Sequence, residues 1–173
     1  MRDFSQFIRE VPDFPKPGIV YKDITPLIGN PVAFHRAIDA FTLRYQYETI
    51  DVVVGIEARG FIFGTALAYR LGAAFVPIRK HGKLPHETFE ITYDLEYGAD
   101  TMAIHQDAFR KHRKVLICDD VLATGGTLAA SIDLVEKLEG DIIGVTVLIE
   151  LTQLNGRERV PYDDIFSLIK YEY

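Results

Sequence analysis

Four short runs of apolar residues stand out along the chain, at residues 52–56, 75–78, 115–118 and 142–149. They are rich in β-branched side chains and lack the polar alternation of a strand with one face in solvent. Runs of this length and composition are typical of strands covered on both faces, as in a parallel sheet. The pattern therefore predicts four central strands.

Between these runs, apolar residues recur at the spacing of one helix face. One helix is predicted after Asn30, as the N-cap, with Pro31 at the first helical position. A second is predicted over residues 60–71, ending at Gly72, and a third over residues 127–138. Alternating strands and helices predict an α/β fold whose mostly parallel central sheet is flanked by helices. In such sheets ligands bind beyond the carboxyl ends of the strands.

Two regions depart from this alternation. Residues 1–29 contain a proline-rich stretch and then the strand-like Ile19-Val20-Tyr21, which predicts an N-terminal hood segment outside the sheet. Residues 79–100 combine a basic loop with the alternating residues 88–93, which predict a strand of a β-hairpin. Long connections of this kind are usually lids or disordered, so we expect a flexible catalytic loop.

Composition narrows the classes of protein. The length of 173 residues predicts one domain over residues 1–173, and the net charge of -6 argues against nucleic acid or anionic lipid as a partner. The longest nearly apolar stretch, residues 142–149, is far below the roughly 18 residues that a membrane span requires. Cys118 is the only cysteine, which favours a reducing cytoplasmic location and a role as a small core residue.

Residues 115–127, VLICDDVLATGGT, carry the most chemical information. A buried strand ends in Asp119 and Asp120, and two glycines then let the backbone approach an anion at the start of a helix. This glycine turn consists of Ala123, Thr124, Gly125, Gly126 and Thr127. The pattern predicts a phosphate site, whereas the alternative is a tight strand-to-helix turn with Thr127 as its N-cap.

The adjacent acids, here named the acid pair, repel each other and lose hydration at the end of a buried strand. Ribose hydroxyls, a magnesium ion or a lysine could satisfy them. A phosphate site a few residues away suits a 5-phosphoribosyl group. The chain has neither a Walker A sequence nor Gly-x-Gly-x-x-Gly, which argues against ATP hydrolysis and dinucleotide binding.

A second anion site is predicted where the first apolar run leads into a helix. The backbone of residues 57–60, here named the arginine loop, offers N–H donors, and Arg59 offers a guanidinium matched to phosphate oxygens. The basic loop adds three cations, here named the cation cluster: Arg79, Lys80 and Lys83. These cations could neutralise a diphosphate, and a mobile cover carrying them would exclude water.

Residues 115–127 resemble the 5-phosphoribosyl 1-diphosphate (PRPP) signature of type I phosphoribosyltransferases. Four other stretches occur in the order found in the members of that family that act on adenine: residues 12–26 (PDFPKPGIVYKDITP), 55–61 (GIEARGF), 79–85 (RKHGKLP) and 95–98 (LEYG). The resemblance covers almost the whole chain. It implies a type I phosphoribosyltransferase fold and the formation of AMP and pyrophosphate from adenine and PRPP.

The resemblance also implies roles for individual residues. The PRPP or AMP site comprises Asp119, Asp120, Ala123, Thr124, Gly125, Gly126 and Thr127. The pyrophosphate site comprises Glu57, Ala58, Arg59, Arg79, Lys80 and Lys83, and the adenine site comprises Ile19, Val20, Tyr21 and Lys22. The catalytic residues are Glu96 and Arg59. A cis peptide is expected at Glu57-Ala58, and backbone groups of Val20 and Lys22 are expected at the adenine edge. Mg²⁺ is expected to arrive with PRPP, without a direct protein ligand, and to reach Asp119 or Asp120 through water. A homodimer is expected.

Two other functions remain open at this point. A 6-oxopurine phosphoribosyltransferase would share most of the same residues, and a base-competition assay would separate the two. A non-catalytic PRPP-binding regulator would keep the acid pair and the glycine turn. The net charge and the absence of a spare segment for DNA binding argue against the regulator.

Overall fold

The structure is a computed structural model that describes residues 4–95 and 98–172, with the side chains of Asp94 and Leu95 left aside. A seven-stranded sheet forms its centre, in the order β5-β6-β4-β3-β7-β8-β9. The strands of this sheet are β3 (Val52–Ile56), β4 (Ala74–Lys80), β5 (Thr88–Leu95), β6 (Gly98–His105), β7 (Lys114–Leu122), β8 (Asp141–Leu151) and β9 (Ile165–Tyr171).

Five neighbouring strands of this sheet run parallel, namely β4, β3, β7, β8 and β9. The four predicted strands are among them. β3 has the predicted bounds, whereas the other three strands extend beyond their apolar runs at both ends. In β7 the extension includes Asp119, which pairs with Val147 of β8, and Asp120. The apolar pattern did not indicate this, because the polar Asp119 and Asp120 interrupt it.

The helices are α1 (Thr25–Gly29), α2 (Pro31–Arg44), α3 (Gly60–Leu71), α4 (Gly126–Lys137) and α5 (Gly156–Arg159), with short 3₁₀ turns at Ser5–Phe7 and Thr152–Leu154. The predicted N-cap of α2 is confirmed, since Asn30 Oδ1 accepts hydrogen bonds from the backbone N–H groups of Val32 (3.1 Å) and Ala33 (3.0 Å). Gly72 ends α3 with a φ of 67°.

The core lies on both faces of the sheet. Val53 packs with α2 and α3 on one face, whereas its neighbours Val52 and Val54 pack with α4 on the other. Most apolar positions that face the sheet from α2, α3 and α4 are buried, whereas Phe34 and Leu71 are half-buried. Cys118 is buried in β7, as expected.

The two irregular regions form hairpins of different kinds. β1 (Arg9–Pro12) pairs with β2 (Val20–Asp23) in a separate two-stranded sheet, which agrees with the predicted hood segment. The hairpin of β5 and β6 instead joins the main sheet through β6, which pairs antiparallel to β4. The sequence pattern predicted part of β5 but not β1, β6 or β9. Among the described residues, no helix has the length and apolar character needed to cross a membrane.

Candidate active site

The acid pair and the glycine turn lie where β7 ends and α4 begins. Asp119 and Asp120 are only 6% and 5% exposed. Residues 121–128 together with Asp119 line a cavity of about 100 Å³. The predicted phosphate-site residues are therefore brought together around one small space at the carboxyl edge of the sheet.

Burial makes ionisation of the acid pair unfavourable. The backbone N–H of Asp120 donates a hydrogen bond of 2.8 Å to Asp119 Oδ1. Burial, followed by the charge of Asp120, raises the pKa of Asp119 well above its usual value. The pKa of Asp120 is also raised, because the effect of burial exceeds the lowering effect of the nearby Arg59 guanidinium. Hydroxyl donors from a bound sugar would stabilise these carboxylates in their ionised form.

The glycine turn is fixed by close backbone contact. Gly125 has a φ of 83°, and a Cβ built on it would lie 2.2 Å from the carbonyl oxygen of Gly156. Only glycine fits this position. The alternative role of Thr127 as an N-cap is wrong, because Gly125 is the N-cap and Thr127 lies inside α4. Its Oγ1 is instead 3.1 Å from the Tyr93 hydroxyl.

The arginine loop contacts the acid pair directly. Arg59 Nε lies 2.8 Å from Asp120 Oδ2, and the same guanidinium donates to the Tyr21 hydroxyl. A Cβ on Gly60 would lie 2.7 Å from Asp119 Oδ1. The Glu57-Ala58 peptide is cis, as the resemblance implied. The acid pair therefore lies next to both predicted anion sites.

The cation cluster gathers around a carboxylate. Lys83 Nζ lies 2.7 Å from Glu57 Oε1, Arg79 contacts both oxygens at 3.3 Å, and the Lys80 backbone N–H donates at 3.1 Å. Burial would raise the pKa of Glu57, but these hydrogen bonds outweigh it and lower the pKa to about 2. Lys80 Nζ pairs with Asp100 at 2.9 Å. The sequence indicated the cations but not the two carboxylates that neutralise them.

The predicted adenine segment lies along β2 and the residue before it. Ile19 and Val20 are exposed, whereas Tyr21 packs edge-on against Phe14 with ring centroids 5.2 Å apart. The Lys22 side chain is buried, with its ammonium 4.0 Å from the centre of the Tyr171 ring. The side chain of Lys22 is therefore occupied within the protein, and its backbone is the part that a base could contact.

The predicted catalytic residue Glu96 lies outside the described residues. Its neighbouring hairpin supplies Tyr93, which the sequence analysis did not include among the site residues. A signal for it existed, because Phe89, Ile91 and Tyr93 alternate along β5 and all three pack on the α4 side of the sheet. The alternation along β5 indicates which face of the sheet Tyr93 occupies, but it does not indicate that the Tyr93 hydroxyl contacts Thr127.

The chain matches the family model described as "Phosphoribosyl transferase domain" over residues 30–172. It is 55% identical to an adenine phosphoribosyltransferase of Koribacter versatilis, with 96% of this chain and 91% of the relative covered. A crystal structure of the Rhodothermus marinus adenine phosphoribosyltransferase superposes with a TM-score of 0.92 at 50% identity, covering 97% of this chain and 96% of the other.

The Saccharomyces cerevisiae adenine phosphoribosyltransferase, solved with an imino-altritol bisphosphate and adenine, superposes with a TM-score of 0.91 at 41% identity, with 95% and 98% covered. The chain therefore belongs to the phosphoribosyltransferase family, with the type I fold. Within that family it is a pentosyltransferase of the adenine phosphoribosyltransferase group. The predicted fold and activity are thus confirmed.

Proposed function

We propose that this chain forms AMP and pyrophosphate from adenine and PRPP in the cleft between the glycine turn and the arginine loop. One observation carries this assignment: the buried acid pair lies between the cavity of the glycine turn and the Arg59 guanidinium, which is 2.8 Å from Asp120. A phosphate site, a diol site and a cationic site in this order match the 5-phosphate, ribose and diphosphate of PRPP.

The glycine turn is proposed to hold the 5-phosphate. Its backbone N–H groups stand at the start of α4, where the helix dipole favours an anion. The hydroxyls of Thr124 and Thr127 would add hydrogen bonds. Binding this remote phosphate positions the reacting C1 carbon without taking part in bond cleavage.

The acid pair is proposed to hold the ribose hydroxyls close to C1. Cleavage of the bond between C1 and the diphosphate oxygen leaves positive charge on the ribose and negative charge on the leaving group. Asp119 and Asp120 would stabilise the first, and Arg59 with the cation cluster the second. Adenine N9 then forms the new bond to C1 from the opposite face and loses its proton to a base, for which Glu96 is proposed. No covalent enzyme intermediate is required.

Mg²⁺ is proposed to enter with PRPP. No cluster of three or more His, Cys, Asp or Glu side chains in the described part of the chain could hold a metal ion. The acid pair nevertheless fits an ion shared with substrate, because Mg²⁺ usually keeps several waters and uses one or two carboxylates plus substrate phosphates. When bound, the ion would neutralise charge on the diphosphate.

The adenine edge is proposed to face the backbone of Val20 and Lys22, with Ile19 and Tyr21 completing the pocket. A carbonyl acceptor for the 6-amino group and an N–H donor for N1 would disfavour a 6-oxopurine, which presents the opposite pattern. The buried Lys22 side chain supports readout by the backbone. Glu96 is proposed as the acid or base near the purine.

Residues 79–100 are proposed to act as a catalytic loop that moves over the diphosphate. The exposure of Lys80 and Lys83, each in an ion pair with a carboxylate, supports a segment that can exchange partners. Hydrogen exchange tests this proposal: rapid amide exchange at residues 81–87 that slows when PRPP binds is expected, and equal protection with and without PRPP would contradict it.

A cytoplasmic homodimer is also proposed. A groove of about 230 Å³ between α2 and α3, with Tyr69 86% exposed beside it, supports an apolar contact between copies. The single buried thiol, Cys118, is consistent with a reducing compartment. Sedimentation at micromolar concentration tests the dimer, and a monomer there would contradict it.

The assigned chemistry is tested by offering adenine, hypoxanthine and guanine separately with PRPP and Mg²⁺. AMP formation with adenine, and a kcat/KM at least about a hundredfold lower for the 6-oxopurines, is expected if unpaired polar groups decide specificity. Comparable rates with hypoxanthine would favour the 6-oxopurine alternative. Binding of PRPP without product from any base would favour a regulator.

A further inference from the structure

Behind the glycine turn, the short helix α5 packs its backbone directly against the turn. A Cβ built on Gly156 would lie 2.1 Å from the carbonyl oxygen of Ala123. In the other direction, a Cβ on Gly125 would lie 2.2 Å from the carbonyl oxygen of Gly156. Because neither side leaves room for a side chain, a displacement of α5 would also displace the glycine turn.

α5 is held in place by a buried carboxylate that the proposed reaction does not use. Glu150, near the end of β8, is 4% exposed. It accepts hydrogen bonds from Arg157 Nε (2.6 Å) and Arg157 Nη2 (2.8 Å), and Ser167 donates to the same carboxylate. This two-point pairing fixes the orientation of the guanidinium, one residue along from Gly156.

The same guanidinium also reaches the neighbouring strand. Arg157 Nη2 donates to the carbonyl oxygen of Ile165 at 3.0 Å and to Ser167 Oγ at 3.2 Å. β8 and β9 are adjacent parallel strands. Arg157 is therefore anchored to two strands of the central sheet, which are more rigid supports than loops. The hydrogen bonds from Arg157 lower the pKa of Glu150 by more than burial raises it, so the Glu150 carboxylate stays ionised.

We propose that Glu150 and Arg157 are positioning residues for the 5-phosphate of PRPP. They hold α5, and through Gly156 they hold the glycine turn in the geometry that accepts the phosphate. This inference rests on the proposed function of the turn. Small displacements matter at such a site, because several N–H groups must point at one phosphate together.

Calorimetric titration with ribose 5-phosphate tests the proposal on Glu150→Gln, Arg157→Lys and Gly156→Ala. Each variant is expected to bind ribose 5-phosphate about tenfold more weakly and to show a similar rise in the KM for PRPP. The kcat at saturating PRPP is expected to stay within about threefold, because the reacting groups are intact. Adenine affinity is expected to be unchanged.

Arg44→Lys is the matched control, since Arg44 pairs with Asp164 at 2.7 Å just before β9 and does not contact the glycine turn. It should leave ribose 5-phosphate affinity at the wild-type value. If Glu150→Gln does not fold, Arg157→Lys and Gly156→Ala still decide the question. A lower Tm with wild-type affinity for ribose 5-phosphate in these variants would show a purely structural role and overturn the proposal.

Thr124→Val separates this inference from the proposed function. Weaker binding of ribose 5-phosphate by Thr124→Val, with no change in the α5 and Glu150 variants, would overturn the positioning role alone. Failure of the wild-type protein to bind ribose 5-phosphate would overturn the phosphate site, and the inference with it.

Discussion

The glycine turn and the cation cluster both lie at the carboxyl edge of the sheet, but they are assembled differently. The turn belongs to one continuous stretch of chain between β7 and α4, and close backbone contact with Gly156 fixes its shape. The cation cluster lies at the end of β4 and in the loop after it, and exposed side chains make most of its contacts.

The two regions also differ in charge. The cavity at the glycine turn is lined by Asp119 and residues 121–128, and the pKa of the acid pair is raised chiefly by burial. The cation cluster is already paired with Glu57 and Asp100. One half of the cleft is therefore prearranged for its phosphate, whereas the other must exchange carboxylates for a diphosphate.

The largest effect is expected where the two halves meet. Arg59→Ala removes the guanidinium that contacts Asp120 and would face the diphosphate. We expect kcat/KM for AMP formation to fall by about a thousandfold, since charge stabilisation in the transition state is lost. Because Arg59 is half-exposed, the Tm should change by only a few degrees. A kcat/KM near that of the wild type would exclude a role at the diphosphate.

The acid pair is expected to give the next largest effect. The double variant Asp119→Asn with Asp120→Asn should weaken PRPP binding by about a hundredfold, because charge-assisted hydrogen bonds to the ribose are lost. Adenine affinity should be nearly unchanged. Calorimetry with each substrate checks both expectations, and unchanged PRPP affinity would contradict the diol assignment.

The same variant should also change the pH dependence of stability. Since the pKa of each acid is raised in the folded state, folding takes up protons, and wild-type stability falls as pH rises above the unfolded value near 3.8. Asparagine has no such dependence. The Tm of the variant relative to the wild type should therefore increase as the pH rises above 3.8, and a constant difference would contradict raised pKa values in the folded state.

The comparison of the two regions explains what the sequence could predict. The glycine turn is local, so its residues, the acid pair before it and the helix after it could be found from a stretch of 13 residues. Its contact with Gly156 is not local, because it depends on how β8 and β9 are paired. No periodic pattern carries that information.

The cation cluster shows the opposite case. The basic character of Arg79, Lys80 and Lys83 is evident in the sequence, but the partner of two of them, Glu57, precedes them by more than twenty residues. The sequence predicts only that the backbone N–H of Glu57 contributes to an anion site. Only the parallel pairing of β3 with β4 brings its carboxylate beside the cations.

Glu57→Gln tests whether that carboxylate competes with the diphosphate. With a pKa of about 2, Glu57 is charged throughout the physiological range. Removing the charge while keeping the shape should tighten pyrophosphate binding by about threefold to tenfold, because a like charge near the site is lost. Calorimetry with pyrophosphate measures the change, and weaker binding would mean that Glu57 chiefly orients Arg79 and Lys83.

Two comparisons support that measurement. Asp164→Asn is the matched control, because it removes a carboxylate that pairs with Arg44 rather than with the cation cluster, and it should leave pyrophosphate affinity unchanged. The folded-state pKa of Glu57 is lowered from 4.5, so its stabilising contribution is present above that pH and is lost as pH falls towards 2. Wild type should therefore lose stability relative to Glu57→Gln over that window, and parallel melting curves there would contradict the pairing.

The smallest effect is expected where Tyr93 of the hairpin contacts the glycine turn. Tyr93→Phe removes the hydroxyl that lies 3.1 Å from Thr127 Oγ1 but keeps the ring against α4. Loss of one such hydrogen bond is worth about 0.5–1.5 kcal/mol, so the KM for PRPP should rise by about threefold. Thr92→Val, which breaks a 2.8 Å contact with Thr101 within the hairpin, is the control and should leave that KM unchanged. Equal effects of the two variants would mean that the hairpin influences the turn through its own stability rather than through Tyr93.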